Sequence, residues 1–322
     1  MILGLIEHDQ GTLNKASLEM LTLGRTIAEK LSAPLEAIIV GTVGSALADQ
    51  IKLYGVSKIY VVQNDRLNDY APEAWAKSVV QHAETAQPEA ILAAGTDRGN
   101  ELMAHIAART NSPLATNCTT VEPGETYAVT RVRWGGSLLE EARLSGVPKL
   151  LTSAPHVIMA EEANAPGDGV IETVIPDLTD KDFRVRISKR VDTSGDKVSL
   201  VDARVVVSGG RGVGSEEGFK ALEDLAHLVG GAVGCSRAVT NNGWRPHADQ
   251  VGQTGTRVAP DIYIACGISG AIQHVVGCKG SKYILVINTD PEAPILAKAD
   301  YAVIGDLHEV LPAIGEEIKK LG

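Results

Sequence analysis

The chain is constrained most by an alternation that runs through it twice: short apolar runs separated by amphipathic stretches of helical spacing. In the first half the runs fall at Ile2–Ile6, Leu35–Val40, Lys58–Val62 and Ala90–Ala94, with helical stretches near 15–32, 44–54, 72–85 and 99–109. Runs of this length are too short for a packed helix, and their continuous apolarity fits strands buried on both faces. Strand–helix–strand succession implies parallel pairing, because a parallel neighbour is reached only through a crossover. The rhythm breaks from about 116 to 187, where short β-like runs, Tyr127–Arg133 and 150–153 among them, are interrupted by Gly and Pro. The stretch 161–169 (EEANAPGDG) reads as a surface loop.

The alternation then restarts. Strands are expected at 204–207, Ala232–Cys235, Ile262–Cys266, 284–288 and Tyr301–Ile304, with helices at 216–229, 270–277 and 307–320. The first of these helices carries Phe219, Leu222, Leu225 and Val229 on one face, with Ser215 available as N-cap and Glu216 and Glu217 suited to its positive end. The polar stretch 188–197 (SKRVDTSGDK) precedes the restart and reads as a domain boundary. The expectation is an α/β chain of two domains, 1–190 and 191–322, the second built on a doubly wound parallel sheet.

Composition narrows the function. With 322 residues, 44% hydrophobic and 22% charged, the chain has the make-up of a globular protein long enough for two cores. The net charge is −10, about −6 before residue 190 (18 basic, 24 acidic) and −4 after it (12 basic, 16 acidic). Neither half has the basic surface that nucleic acid requires. No apolar run approaches the roughly 18 residues of a membrane span. The opening MILGLI runs into Glu7, His8 and Asp9 with no basic region or cleavage site, so a cytoplasmic protein without membrane insertion is expected. Cys118, Cys235, Cys266 and Cys278 form no C-x-x-C pair, and no metal site is expected.

Ligands of an open parallel sheet bind beyond the carboxyl ends of its strands. Each expected strand of the second half ends there in small or polar residues: SGGRGVGS (208–215), Ser236-Arg237, GISGAIQH (267–274), Asn288-Thr-Asp290 and Gly305-Asp306. Five such ends on one edge describe a concave polar site for a nucleotide-sized ligand. Which nucleotide is open on this ground. The 208–215 loop lacks the third glycine of the dinucleotide fingerprint, where Ser215 stands, and has no Gly-Lys-Ser/Thr of a P-loop. It still offers an anion a close backbone approach, with Arg211 and Arg237 supplying charge. The segment QVGQTGTR (250–257) should pass over the ligand, and His274 is a candidate hydrogen-bond donor to it. No nucleophile–base pair stands out, so no catalytic residue is assigned and chemistry is expected to belong to a cofactor.

The blocks GGRG (209–212), SR (236–237), QVGQTG (250–255), GISGAIQH (267–274), INTDPEAPI (287–295) and ADYAVIGDL (299–307) closely resemble the α-subunit of electron transfer flavoproteins. The first half resembles that family's N-terminal nucleotide-hydrolase-like α/β domain more loosely, through GTDRGNE (95–101), Ala107-Ala108, Asn117-Cys118 and the stretch from Arg131 to Gly136. The resemblance implies one FAD, held mainly by the C-terminal domain and capped by a separate β-subunit that the N-terminal domain contacts. It implies FAD contacts at Arg211, Ser236, Arg237, Val251, Gly252, Gln253, Thr254, Ser269, Gly270, Ala271, Ile272, Gln273, His274, Asn288, Asp306 and Leu307. It further implies that Arg237 lies against the isoalloxazine, favouring its reduced form, with Thr254 near N5 and His274 near a pyrimidine carbonyl. Asn241-Asn-Gly-Trp-Arg-Pro-His247 departs from the pattern in a stretch where the family varies.

The function this implies is a heterodimeric electron carrier. It would take electrons from flavin dehydrogenases, such as the acyl-CoA dehydrogenases of fatty acid β-oxidation, and deliver them to a membrane quinone oxidoreductase. The alternatives are a subunit of an electron-bifurcating, NADH-oxidising complex and a nucleotide-binding regulatory module without redox chemistry.

Overall fold

The computed structural model describes residues 1–189 and 198–321; segment 190–197, most of the stretch read as a boundary, lies outside the described residues. The chain divides into two compact units, residues 1–190 and 191–322.

In the first unit, β1 (Ile2–Ile6) leads through a small hairpin, β2 (His8–Asp9) and β3 (Thr12–Leu13), into α1 (Lys15–Lys30). Between β4 (Leu35–Val40) and β5 (Lys58–Val62), the helix expected at 44–54 is instead three pieces. A 3-10 turn at Thr42–Leu47 is followed by a single α turn, α2 (Ala48–Ile51), and another 3-10 turn at Lys52–Tyr54. The run TVGS (42–45) forms α-helix poorly, and Gly55 closes the last turn in the left-handed region. Then come α3 (Pro72–Ala86), β6 (Ala90–Ala94) and α4 (Asp97–Thr110), the last capped by the Thr96 side chain, which accepts from the Gly99 N–H. β7 (Leu114–Glu122), β8 (Tyr127–Arg133), β9 (Leu138–Leu144), β10 (Lys149–Ser153) and β11 (Val170–Val174) complete the unit.

These strands form a nine-stranded sheet in the order β11-β5-β4-β1-β6-β10-β7-β8-β9. It is parallel from β11 to β7, and only β8 and β9 run antiparallel to their neighbours. The edge strand β11 falls within the stretch of short β-like runs, and most of its residues are exposed. One face of the sheet packs on α1 through Met20, Leu21 and Ile27, the other on α3 and α4 through Trp75, Val79 and Met103. The carboxyl edge beside β1 and β6 is closed by its own hydrogen bonds. There Glu7 accepts from Asn14 Nδ2 (2.9 Å) and from the Thr96 hydroxyl, and Thr152 donates to Asn100 Oδ1 (2.8 Å).

The second unit runs β12 (Val205–Gly209), α5 (Phe219–Leu228), β13 (Ala232–Cys235), α6 (Arg237–Asn241), β14 (Ile262–Cys266), α7 (Ile272–Cys278), β15 (Tyr283–Asn288), β16 (Tyr301–Ile304) and α8 (Leu307–Leu321). Its five-stranded sheet has the order β13-β12-β14-β15-β16 and is parallel throughout. Apolar clusters lie on both faces, Val207, Phe219, Leu222 and Leu311 in one and Val206, Tyr263, Cys278 and Ile295 in the other. This is the doubly wound arrangement expected.

Some boundaries moved. α5 begins at Phe219 rather than 216, with Gly218 at its N-cap, and Ser215 serves only a preceding turn by accepting from the Gly218 N–H (3.2 Å). α7 begins at Ile272 rather than 270, because Gly270 has φ +90°, which an α-helix cannot use. The short α6 was not expected at all.

Candidate functional site

Strand order decides where a ligand can sit. β12 and β14 are neighbours, yet the chain leaves β12 toward β13 on one side and leaves β14 toward β15 on the other. Such a reversal opens a crevice at the carboxyl ends of the two strands. A cavity of about 650 Å³ lies there, a volume within the range of cofactor sites.

The cavity wall gathers thirteen of the sixteen expected positions: Arg211, Ser236, Arg237, Val251, Gly252, Gln253, Thr254, Ser269, Gly270, Ala271, Gln273, His274 and Asn288. Three lie off it. Ile272 is exposed at the start of α7. Leu307 packs into the apolar cluster beneath α8, and Asp306 accepts from the His308 N–H (2.8 Å) at that helix's first turn. The wall also includes residues absent from the expected set, among them Gln250, Ala238, Asp290 and Ala293. Gln250 gave a signal in retrospect, as a long polar side chain at the start of a segment rich in small residues.

The glycine-rich turn after β12 does something other than expected. Its Gly210 N–H donates to the Cys266 carbonyl (2.8 Å) and its Gly212 N–H to the Gly267 carbonyl (3.0 Å). A Cβ on Gly210 would stand 2.2 Å from the Gly267 oxygen. These glycines therefore bring two loops together, and their N–H groups are used within the protein rather than offered to an anion. Counter-charge for an anion is available from side chains. Arg211 and Arg237 are exposed on the wall and form no ion pair among the described residues. Asp290 is the wall's single carboxylate, so the site carries a net positive charge in an acidic chain.

Hydrogen-bond accounting identifies the donors. Gln250, about 1% exposed, donates from Nε2 to Thr254 Oγ1 (3.0 Å) and accepts at Oε1 from the Thr240 hydroxyl (2.8 Å). Asn288 is spent on the loop, donating to the Ile268 carbonyl (2.9 Å) and accepting from the Asp290 N–H (3.1 Å). His274 is buried, with Nε2 2.9 Å from the hydroxyl of the fully buried Tyr263. Burial pushes its pKa down to about 4, opposed by the backbone of Val251, so the ring is neutral near pH 7. The Tyr263 phenol is itself held well above its ordinary pKa by burial and stays neutral beside the ring. Nδ1 is buried without a well-formed hydrogen bond, beside the backbone of Val251.

The comparisons with known proteins bear on this site directly. Residues 199–279 match the electron transfer flavoprotein FAD-binding domain, and residues 2–178 match the electron transfer flavoprotein domain. The chain belongs to the electron transfer flavoprotein α-subunit family. The electron transfer flavoprotein subunit α of Thermoanaerobacterium thermosaccharolyticum is 37% identical over 318 residues, spanning 98% of this chain and 96% of that protein. Protein FixB of Clostridium saccharobutylicum is 39% identical over 321 residues, with 98% and 95% covered. Subunit α of Mycobacterium leprae is 39% identical over 318 residues, with 98% and 97% covered.

FAD is thus the cofactor of this family member and electron transfer its role. The residues present fit that group. Two unpaired arginines suit a pyrophosphate. Among the described residues, five buried side-chain polar atoms lack a well-formed hydrogen bond, and of these only His274 Nδ1 belongs to a residue of the cavity wall. Among the described residues no helix is long and apolar enough to cross a membrane, and no cluster of three metal-ligating side chains occurs.

Proposed function

We propose that this chain is the α-subunit of a heterodimeric electron carrier, receiving electrons from flavin dehydrogenases and passing them to a membrane quinone oxidoreductase. The observation that carries this reading is a cavity rich in charge and donors that lacks any substrate-directed catalytic pair. Its one histidine, buried and neutral, is hydrogen-bonded to a tyrosine rather than to a nucleophile. FAD, when bound, supplies reversible uptake and release of electrons. The chain's own residues hold it: Arg211 and Arg237 by charge, Thr254 as a donor, and Ser236, Ser269, Gln273 and His274 with the backbone of Val251, Gly252, Gln253, Gly270 and Ala271 as the wall. Asn288 fixes the loop beneath them. Ile272, Asp306 and Leu307 would meet only the parts of so long a cofactor that extend past the cavity. A β-subunit covers the open side of the site and docks on the N-terminal unit.

An anaerobic absorption titration of the α–β complex tests the reading. A substrate-reduced flavin dehydrogenase should bleach its flavin while NADH leaves it unchanged. Bleaching by NADH would replace the carrier with the bifurcating, NADH-oxidising type.

A further inference from the structure

Gln250 is outside the set of positions assigned to FAD, yet it lines the cavity and hydrogen-bonds one of them, Thr254. It begins the segment that crosses the ligand site, pairs with Cys235 at the end of β13, and is almost wholly buried. A buried amide must have both its ends matched, and this one is. Oε1 accepts from the Thr240 hydroxyl (2.8 Å), which also lies 2.9 Å from the Arg237 carbonyl and so ties Gln250 to the turn bearing that arginine. Nε2 donates to Thr254 Oγ1 (3.0 Å).

A threonine hydroxyl has one proton and two lone pairs. Once Gln250 fills a lone pair of Thr254 from inside the protein, the hydroxyl proton is left for the cavity. We infer that Gln250 is a positioning residue that, through the Nε2 contact to Thr254 Oγ1, fixes Thr254 as a hydrogen-bond donor toward the bound cofactor. The inference rests on the FAD reading of the cavity and adds to it the residue that sets the polarity of one of its contacts. Replacement of Gln250 by an apolar side chain of similar length leaves Thr254 in place but free to turn its proton inward or to water.

A double-mutant cycle on the α–β complex tests this, with the FAD dissociation constant read by fluorescence titration of the flavin-depleted complex. Gln250→Met and Thr254→Val should each weaken FAD binding by about 3- to 10-fold, the range of one net hydrogen bond. The double variant should be no weaker than Thr254→Val alone, because Gln250 acts only through that hydroxyl. Thr254→Ser, which keeps the hydroxyl, should restore near-normal affinity and sensitivity to Gln250→Met. If the two losses multiply in the double variant, Gln250 is a packing residue and the inference fails. Should Gln250→Met not fold, Thr240→Val removes one partner of the amide with Gln250 still present, and its effect must likewise vanish beside Thr254→Val. A wild-type complex that binds no FAD would refute the cofactor reading itself. Full binding with a multiplicative cycle would refute only the positioning role.

Discussion

One substitution made in two helices of the C-terminal unit should have opposite signs. Gly277 in α7 lies against the cavity segment: a Cβ there would stand 2.3 Å from the Gly252 nitrogen and 2.4 Å from its Cα. Gly252 cannot retreat easily, because its φ of +148° is closed to other residues and its N–H is bonded to the Thr256 carbonyl (3.2 Å). Gly315 in α8 is open, and its Cβ would meet only Leu228 Cδ2 at an ordinary 3.8 Å. Gly315→Ala should therefore gain the helix preference of Ala over Gly, about 1 kcal/mol. Gly277→Ala gains the same preference but overpacks backbone against backbone, which has no rotamer to yield. Taking the upper end of overpacking costs, about 3 kcal/mol, the net loss is about 2 kcal/mol. With a urea m-value of about 2 kcal/mol/M, the midpoint should fall by about 1 M in Gly277→Ala and rise by about 0.5 M in Gly315→Ala. Equilibrium urea unfolding of the full chain, followed by circular dichroism, reads both. Equal shifts of the same sign would refute the claim that the α7–252 contact is a backbone fit. FAD affinity should fall with Gly277→Ala alone, since only that contact shapes the cavity wall.

Further outcomes follow from particular side chains. The His274 ring is buried neutral with a pKa near 4, so between pH 6.5 and 4 the unfolded chain takes up a proton that the folded chain refuses. Stability present above pH 6.5 should be lost over that window, by about 3 kcal/mol from this group, and His274→Gln should flatten the loss in urea unfolding measured across that range. Arg237→Ala removes a charge with no internal partner; FAD should bind about 10- to 100-fold more weakly by fluorescence titration, and the midpoint potential of the retained flavin should fall in a spectroelectrochemical titration. Leu222, fully buried among Phe219, Leu225 and Leu311, should cost about 2–5 kcal/mol as Leu222→Ala in the same unfolding assay, with the wild-type flavin spectrum retained at low denaturant.

Much of this architecture was legible in the sequence because buried parallel strands announce themselves. Ile2–Ile6, Ala90–Ala94 and Ile262–Cys266 are continuous apolar runs, and the structure gives them those bounds. β11 carries apolar β-branched residues, Val170, Ile171 and Val174, but in a five-residue run beside a Gly- and Pro-containing loop, where spacing does not reveal its partner strand. The helix expected at 44–54 broke into 3-10 turns because local preference at 42–45 outweighs the apolar spacing that follows it. At the site, the strand-end rule gathered most of the expected positions on one cavity. What it could not show was the division of labour. Spacing does not reveal that Gly210 and Gly212 spend their N–H groups on the neighbouring loop, or that Gln250 orients Thr254. Those facts depend on loops that meet only in three dimensions.

The most direct test of the central claim is the flavin content of the α–β complex, wild type against Ser269→Trp. Ser269 is exposed on the cavity wall, so an indole there fills ligand space without entering the core. The account requires one FAD per α chain in the wild type and little or none in the variant, with the urea midpoints of the two flavin-depleted proteins equal. A variant that keeps one FAD per chain would show that the cofactor is held elsewhere.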